Sequence, residues 1–406
     1  MNNPLKDKHV ILGITGSIAA YKGVDLASKL TQAGAIVDVI LTESACKFVS
    51  PLSCQSVTGR KAFIETDLWG GEGHVVHVAL GHRASLVIIA PASANTLAKL
   101  AAGIADNLLT VTVLASSAPL LIAPAMDADM FDKPVTQANV QKLRGYGAVI
   151  VGPESGHLAS GLVGPGRMTE PLEITNQARF MMSRNGSLAG RKVVVTAGGT
   201  SEAIDPVRVI TNRSSGKQGY ALAQAALDLG ADVTLISTTR QLPVPAGARL
   251  IEVISAQDML EAVNQSIAGT DLLIMAAAVA DFRPFKVSGQ KIKKESGLPV
   301  INLEKTVDIL KEVAKKREQT GFPRRVIGFA AESESLITNA QKKVKQKQLD
   351  LIAANDISSS DAGFEVDTNQ VVLLHPDGTS RDLGLRTKME AAQEILATAA
   401  IWFEHS

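Results

Sequence analysis

Two stretches of small residues stand where chemistry could happen. Thr211-Asn212-Arg213-Ser214-Ser215-Gly216-Lys217-Gln218-Gly219 runs into an apolar-periodic segment from Tyr220 to Leu229, and Gly13-Ile14-Thr15-Gly16-Ser17 runs into another from Ile18 to Ala33. The first turn of a helix leaves N–H groups unpaired at the positive end of its dipole, and small side chains let an anion reach them. Each stretch therefore predicts a seat for one phosphate. Neither is a Walker A loop, because Lys217 is followed by Gln218 rather than Ser or Thr. Neither carries G-x-G-x-x-G with an acidic residue about twenty positions on, which counts against a nicotinamide-dependent reductase. The basic run Lys291-Ile292-Lys293-Lys294 suits a polyphosphate or a solvated loop. His74-x-x-His77 suits a general base, a surface helix or a metal pair, and no third ligand is evident for the metal. His82 reads as structural.

Such loops need strands and helices to hold them. In the first half, strands are expected at His9 to Gly13, Ile36 to Leu41, Leu86 to Ala90, Leu120 to Ile122 and Ala148 to Val151, with helices at Ile18 to Ala33, Thr96 to Ala101 and Pro134 to Gly145. In the second half, strands at Lys192 to Thr196, Ala231 to Ser237, Asp271 to Ala276, Val326 to Phe329 and Leu351 to Ala354 alternate with helices at Tyr220 to Leu229 and Leu336 to Gln348. Pro376-Asp377-Gly378 turns a hairpin between Gln370 to Leu374 and Thr379 to Leu383, and a helix from Leu385 to Phe403 closes the chain. The alternation predicts an α/β fold class of two doubly wound, mainly parallel-sheet domains, with ligand loops at the carboxyl ends of the strands. Thr42 to Ala45, Pro91 to Thr96 and Pro124 to Asp127 are such loops, small and polar as a flat phosphorylated ligand requires. Ser183 to Gly190 is the expected linker, dividing 1–189 from 190–406.

Composition agrees. A chain of 406 residues suits two domains, and 46% hydrophobic with 4% aromatic residues is the aliphatic economy of buried parallel sheets. A net charge of +1 makes no case for nucleic acid or anionic membrane. Cys46 and Cys54 build no disulfide framework, and the polar Met1 to Lys8 is no signal peptide, so a cytoplasmic location is expected. The charge-free stretch Leu108 to Met126 approaches membrane-spanning length, but Pro119 and Pro124 break it and Thr110-Val111-Thr112-Val113 is β-like, so it reads as a buried helix end, a strand near Leu120 to Ala123 and a functional loop.

Across nearly its whole length the chain resembles the bacterial bifunctional enzymes of coenzyme A biosynthesis, phosphopantothenoylcysteine decarboxylase fused to phosphopantothenate-cysteine ligase. The marks are Gly13-Ile-Thr-Gly-Ser-Ile-Ala-Ala-Tyr21, Pro124-Ala-Met126, Gly164-Pro-Gly-Arg-Met168, Asp205-Pro-Val-Arg208, Asn212-Arg-Ser-Ser-Gly-Lys217, Ala277-Ala-Val-Ala-Asp281, Lys291-Ile-Lys-Lys294 and Leu349-Asp-Leu-Ile-Ala-Ala-Asn-Asp356. The resemblance implies two Rossmann-like domains, the first holding FMN and the second CTP with Mg²⁺, whose protein ligands it does not fix. Its substrates would be 4′-phosphopantothenate, cysteine and CTP. It also implies a homo-oligomer of decarboxylase trimers and ligase dimers, up to a dodecamer.

A carboxylate is a poor acyl donor, so the ligase reaction runs through an acyl-cytidylate that the cysteine amine then attacks, releasing CMP after pyrophosphate. By resemblance, Lys291 holds the triphosphate, Lys343, Lys347 and Val307, Asp308, Ile309 and Leu310 complete the CTP site, Ala277, Asp281 and Phe329 contact the nucleotide, and Asn212 positions the acyl-cytidylate. Thr306-Val307-Asp308 stands where the family often has Asn-Pro-Asp, which removes a rigid residue. The decarboxylase reaction needs an electron sink, which FMN supplies. Gly16, Ser17, Ile18, Thr42, Ser93 and Asn95 would bind it and His77 would be the catalytic base. Here Asp127 and Ser160 replace a family asparagine, which holds the substrate carboxylate, and a family cysteine, which protonates the enethiol. An ionised Asp127 at 4 Å from that carboxylate would cost on the order of 4 kcal/mol at an effective dielectric near 20; a protonated one would donate a hydrogen bond as the amide does. The expectation is that Asp127 and Ser160 act as a substitute pair. The alternative is a working ligase with an impaired, flavin-binding first half.

Overall fold

The structure, a computed structural model, describes residues 3–69, 75–293, 300–332, 336–356 and 366–404, so His74 and Lys294 lie outside the described residues. The chain forms two compact units that part between Met182 and Ser183 rather than after Ala189. The expected linker is packed, not free: Leu188 is fully buried, its N–H donates to Leu229 O at 2.7 Å, and a Cβ on Gly186 would meet the Leu229 backbone at 2.4 Å.

The first unit is built on one parallel sheet. Its strands are β1 (His9–Ile14), β2 (Ile36–Leu41), β3 (Ala62–Phe63), β4 (Leu86–Ala92), β5 (Leu120–Pro124) and β6 (Val149–Ile150), in the order β3-β2-β1-β4-β5-β6. Order reverses between β1 and β4, the switch point at which open α/β sheets open a crevice. Val10, Leu12 and Ile14 belong to one core cluster and Ile11 to another, so β1 is apolar throughout because both its faces are covered. The covering helices are α1 (Ala20–Gln32), α2 (Pro51–Thr58), α3 (Val76–Arg83), α4 (Ala94–Ala102), α5 (Leu108–Leu114), the short α6 (Ala128–Phe131), α7 (Pro134–Gly145) and α8 (Pro171–Ser183). A hairpin of β7 (Glu154–His157) and β8 (Val163–Arg167) stands outside the sheet.

The Thr-Val-Thr-Val run is helical, in α5, and not β. Asn107 and Thr110 form a capping box, and Thr112 Oγ1 donates to Leu108 O at 2.7 Å, so the β-branched residues sit in a well-capped helix that buries Leu108 and Leu109. Among the described residues no helix is long and apolar enough to cross a membrane.

The second unit carries an eight-stranded sheet. Its members are β9 (Lys192–Ala197), β12 (Asp232–Ser237), β13 (Arg249–Glu252), β14 (Leu272–Met275), β17 (Arg325–Glu332), β18 (Leu351–Asp356), β19 (Thr368–Leu374) and β20 (Ser380–Thr387), in the order β13-β12-β9-β14-β17-β18-β19-β20. The pairings are parallel as far as β18 and antiparallel from there to β20. Two small hairpin-like pairs lie apart: β10 (Ser201–Ala203) with β11 (Val209–Thr211), and β15 (Phe282–Pro284) with β16 (Leu303–Lys305). Helices α9 (Lys217–Asp228), α10 (Ala256–Ser266), α11 (Ile309–Thr320), α12 (Leu336–Gln346) and α13 (Lys388–Ala400) complete the unit.

Two helix starts lie three residues from expectation. α9 begins at Lys217, so Lys217-Gln218-Gly219 is its first turn and Gly216, at φ +79°, is the cap that only glycine takes easily. α13 begins at Lys388 and not Leu385, because β20 runs to Thr387, which closes a capping box with Glu390.

Candidate active sites

In the first unit the loops after β1, β4 and β5 and the β7–β8 hairpin enclose a cavity of about 680 Å³, and a second of about 440 Å³ shares Gly16, Ser93, Ala94 and Met130 with it. Gly16, Ser17 and Ile18 line the larger one, Thr42 and Asn95 the smaller, and Ser93 both. The N-terminus of α1 has no side-chain bond from its cap residue Ala19 and no acid in its first turn, which favours an anion at its positive end, while Ser17 takes the N–H groups of Ala19 (through Oγ, 3.3 Å) and Ala20 (through its carbonyl, 2.9 Å). Sequence reasoning missed Thr15. Its buried hydroxyl donates to Pro91 O at 2.8 Å and accepts the Ser93 N–H at 2.9 Å, locking the first and third loops together at the switch point.

Asp127 and Ser160 meet on the wall of the larger cavity, where Ser160 Oγ donates to Asp127 Oδ2. Asp127 also caps α6, accepting the Asp129 N–H at 3.1 Å. The hairpin is pressed close: Met126 N–H donates to Gly166 O at 3.1 Å, and a Cβ on Gly166 would stand 2.2 Å from Met126 O. The Gly-Pro-Gly-Arg-Met stretch thus carries the Ser160 loop to Asp127. His157 and Lys22 line the same cavity and went unnoticed in the sequence, as does Arg167, quoted there only as part of a motif; Lys22 bonds Glu170 at 2.7 Å, tying α1 to the chain after the hairpin. His77 does not line either cavity. It lies half-buried on α3, with Nδ1 buried and without a hydrogen-bond partner among the described residues.

In the second unit a cavity of about 990 Å³ opens at the carboxyl end of the sheet. Asn212 after β11, Ala277 and Asp281 after β14, Val307, Asp308, Ile309 and Leu310 at the head of α11, Phe329 on β17, and Lys343 and Lys347 at the end of α12 all line it. The loop after β14 is braced through threonines: Thr196 Oγ1 accepts the Ala277 N–H at 3.1 Å and Thr200 Oγ1 the Ala280 N–H at 2.9 Å. Asn212 Nδ2 donates to Ala278 O and Val279 O at 3.2 and 3.3 Å. Thr306, in place of the family's asparagine, donates to Ala280 O at 2.5 Å and its N–H to Asp281 O at 3.0 Å, so side-chain bonding anchors a loop that lacks the proline. Asp308 caps α11 and lies 3.4 Å from Lys347 Nζ. Lys343 and Lys347 are half-buried here, not on an open helix face.

Lys291 is not brought to this cavity. It is exposed, on a loop clamped to the turn between β10 and β11: Ser288 N–H donates to Ile204 O at 3.0 Å, Ile292 N–H to Asp205 Oδ2 at 3.2 Å, and Arg208 Nη2 to Ile292 O at 2.9 Å. Asp205 also accepts the N–H groups of Val207 and Arg208, each at 2.9 Å. The Arg208 guanidinium, then these backbone donors, hold its carboxyl well below the usual carboxylate range.

A parallel-sheet unit with a crevice at its switch point, followed by a second α/β unit with a lysine-bearing cavity, defines a pair of doubly wound ligand-binding domains. Residues 1–182 match the Flavoprotein family and residues 188–401 the DNA/pantothenate metabolism flavoprotein C-terminal domain. The Coenzyme A biosynthesis bifunctional protein CoaBC of Bacillus subtilis (strain 168) is 46% identical over 400 residues, covering 98% of this chain and 97% of that one. Proteins of the same name from Vibrio vulnificus (strain YJ016) and Mycobacterium tuberculosis (strain ATCC 25618 / H37Rv) are 42% and 44% identical over 394 and 401 residues, covering 97% and 96% of this chain and 97% and 95% of their own. The chain belongs to the family of bifunctional coenzyme A biosynthesis enzymes, decarboxylase and ligase in one polypeptide.

Proposed function

We propose that the second unit joins 4′-phosphopantothenate to cysteine at the expense of CTP and Mg²⁺, and that the first decarboxylates the product to 4′-phosphopantetheine with FMN. The observation that carries this is the convergence of Asn212, Asp281, Phe329, Lys343, Lys347 and the head of α11, separated by up to 135 positions in the chain (347 − 212), on one cavity. Lys343 and Lys347 supply positive charge to phosphate oxygens as pyrophosphate leaves. The braced backbone after β14 and the Asn212 amide hold the acyl group while the amine attacks. Among the described residues no group of three His, Cys, Asp or Glu could hold a metal. Mg²⁺ riding on phosphates needs only one or two carboxylates, and Asp281 and Asp308 stand in the cavity.

FMN fits the first unit's paired cavities, its phosphate at the N-terminus of α1 and Thr42, Ser93 and Asn95 around it. Bound there, it supplies the reversible electron sink that loss of CO₂ from a cysteinyl amide requires. Asp127 and Ser160 face the substrate side. His77, which lines neither cavity of its own chain, would reach a site only in an assembly of copies, in keeping with the proposed homo-oligomer. Thermal-shift titration of the full chain with CTP, ATP, GTP and UTP, each with and without Mg²⁺, tests the ligase half: CTP with Mg²⁺ should raise the melting temperature most. A larger rise with ATP, or none with any nucleotide, overturns the CTP assignment. The replacement of the family's asparagine and cysteine favours one second reading, a ligase whose first half binds flavin without completing decarboxylation.

A further inference from the structure

Loss of CO₂ from a carboxylate replaces a C–C bond by a C–H bond, so every turnover of a decarboxylase consumes one proton. A flavin that takes up a hydride and returns it supplies none of that proton over the cycle. A side-chain acid at the reacting carbon, recharged from solvent, speeds such a transfer. The titratable groups that line the larger cavity of the first unit are Tyr21 and Lys22 on α1, Asp127 before α6, His157 on β7 and Arg167 on β8. Asp127 uses both carboxyl oxygens as acceptors, Oδ1 for the Asp129 N–H and Oδ2 for the Ser160 hydroxyl, and so holds no proton to give in this geometry. Lys22 Nζ is engaged by Glu170 Oε1 at 2.7 Å and Met168 O at 3.3 Å. Ammonium groups and phenols give up protons readily only well above neutral pH, and a guanidinium does not deprotonate in proteins. Histidine is the side chain whose ordinary charge change falls between about pH 5 and 8.

His157 is placed by the same turn that carries Ser160. It ends β7 and pairs with Val163 across the hairpin, and the turn beyond it is closed by Gly161 N–H to Leu158 O at 3.0 Å and Leu158 N–H to Leu162 O at 2.9 Å. Ser160 sits inside this turn, and its bond to Asp127 holds the turn against the loop after β5. The other end of the hairpin is held to the same loop by Met126 N–H to Gly166 O. His157 therefore stands on one cavity wall with Asp127 and Ser160. It is exposed, so water can recharge it, and among the described residues its side chain makes no hydrogen bond or ion pair that would hold its proton back.

We propose that His157 is the proton donor of the decarboxylase half, the catalytic acid that completes the product. The role rests on the reading of the first unit as a decarboxylase. The C–C bond to the carboxyl group breaks and leaves its electron pair in an enethiolate. An N–H bond of the imidazolium then breaks as a C–H bond forms at the carbon that carried the carboxylate. The hydride and the thiol proton removed at the start return to the sulfur-bearing carbon and to sulfur, and the imidazole regains its proton from water. A donor on this turn also explains how the chain can dispense with a thiol at position 160: the acid stands at the foot of the turn instead of within it.

The test gives 4′-phosphopantothenoylcysteine to the full FMN-loaded chain as wild type, as His157→Gln, and as His157→Ala with and without added imidazole, and follows CO₂ and the organic product by mass. His157→Gln should still release CO₂ but yield the enethiol, with 4′-phosphopantetheine forming about a hundredfold more slowly or worse. Imidazole should restore 4′-phosphopantetheine to His157→Ala. In wild type the share of 4′-phosphopantetheine over enethiol should fall as pH rises from about 5 to about 8, and that dependence should vanish in His157→Gln. Tyr21, Lys22, Asp127, Arg167 and Glu170 are the other titratable or charged groups around the cavity, and all remain in the variant. A readout apart from turnover is carbethoxylation by diethyl pyrocarbonate, mapped by peptide mass: His157 should be modified in the free protein and protected by 4′-phosphopantetheine. Unchanged product in His157→Gln, no rescue by imidazole, or labelling that 4′-phosphopantetheine does not slow each overturns the proposal. A wild type that itself stops at the enethiol does so too. Wild type that releases no CO₂ fails the decarboxylase reading along with it, whereas CO₂ release with an unchanged His157→Gln product sinks the role of His157 alone.

Discussion

Ser160→Cys would return one residue of the family's decarboxylase pattern, and the structure says it should gain little. Ser160 donates to Asp127 Oδ2, and a hydrogen bond to a charged group is worth about 1.5–3 kcal/mol. Ser160 is exposed, so the lower figure applies, about a tenfold effect. A thiol is a weaker donor and forfeits most of that. A carboxylate charge at 4 Å adds about 1 kcal/mol in water and about 4 kcal/mol at an effective dielectric of 20. It would lift the new thiol above its ordinary value of about 8.5, making it a worse acid than the family's cysteine. Only Asp127→Asn together with Ser160→Cys removes the charge and supplies the thiol. Ser160→Cys alone should therefore change 4′-phosphopantetheine formation by no more than about tenfold, with a coupling of about 1.5 kcal/mol to Asp127→Asn in the double variant. The assay is single-turnover mass spectrometry of products from 4′-phosphopantothenoylcysteine. The reasoning fails if wild type stops at the oxidised enethiol and Ser160→Cys alone restores 4′-phosphopantetheine, or if the two changes are additive.

The purified protein should be yellow and release FMN, not FAD, on heat denaturation, since the α1 loop offers room for one phosphate; colourless protein that FMN cannot reconstitute would contradict this. By the family resemblance Lys291→Gln should abolish CTP-dependent pyrophosphate release while leaving flavin content unchanged, which requires the loop clamped at Asp205 to leave the position described above; normal turnover would mean that the clamped loop never reaches the triphosphate. Asp205→Asn should destabilise the second unit at neutral pH. Because the Asp205 carboxyl is held low in the folded chain, its contribution is present above about pH 3.9 and lost as pH falls through its folded value, so the wild-type advantage in chemical denaturation should shrink below pH 4. An advantage that is the same at pH 3 and pH 7 would show that the charge on Asp205 is not what fastens the Lys291 loop.

The sheets were legible because their strands are buried on both faces and read as unbroken aliphatic runs, as Val10 to Ile14 and Val193 to Val195 do. Elements without such runs were not. β7 and β8 are rich in glycine and polar residues, and β8 contains Gly164-Pro165-Gly166, which by itself reads as loop; its role appears only in the contact of Gly166 with Met126 O. Half of α11 is charged, with little apolar periodicity to mark it. The Thr110 to Val113 run misled because β-branched propensity was outweighed by the Asn107 cap. In the sites, residues within one loop, such as Gly16 to Ile18, could be read locally. Thr15 and His157 could not, since each acquires its meaning from a partner or cavity wall supplied by a distant part of the chain.

The most direct test of the account is to give the purified full chain 4′-phosphopantothenate, cysteine, CTP and Mg²⁺ and to follow pyrophosphate, CO₂ and the organic product by mass. The account predicts pyrophosphate and CO₂ in equal amounts, with 4′-phosphopantetheine as the end product. Pyrophosphate without CO₂, leaving 4′-phosphopantothenoylcysteine or its oxidised enethiol to accumulate, would contradict it.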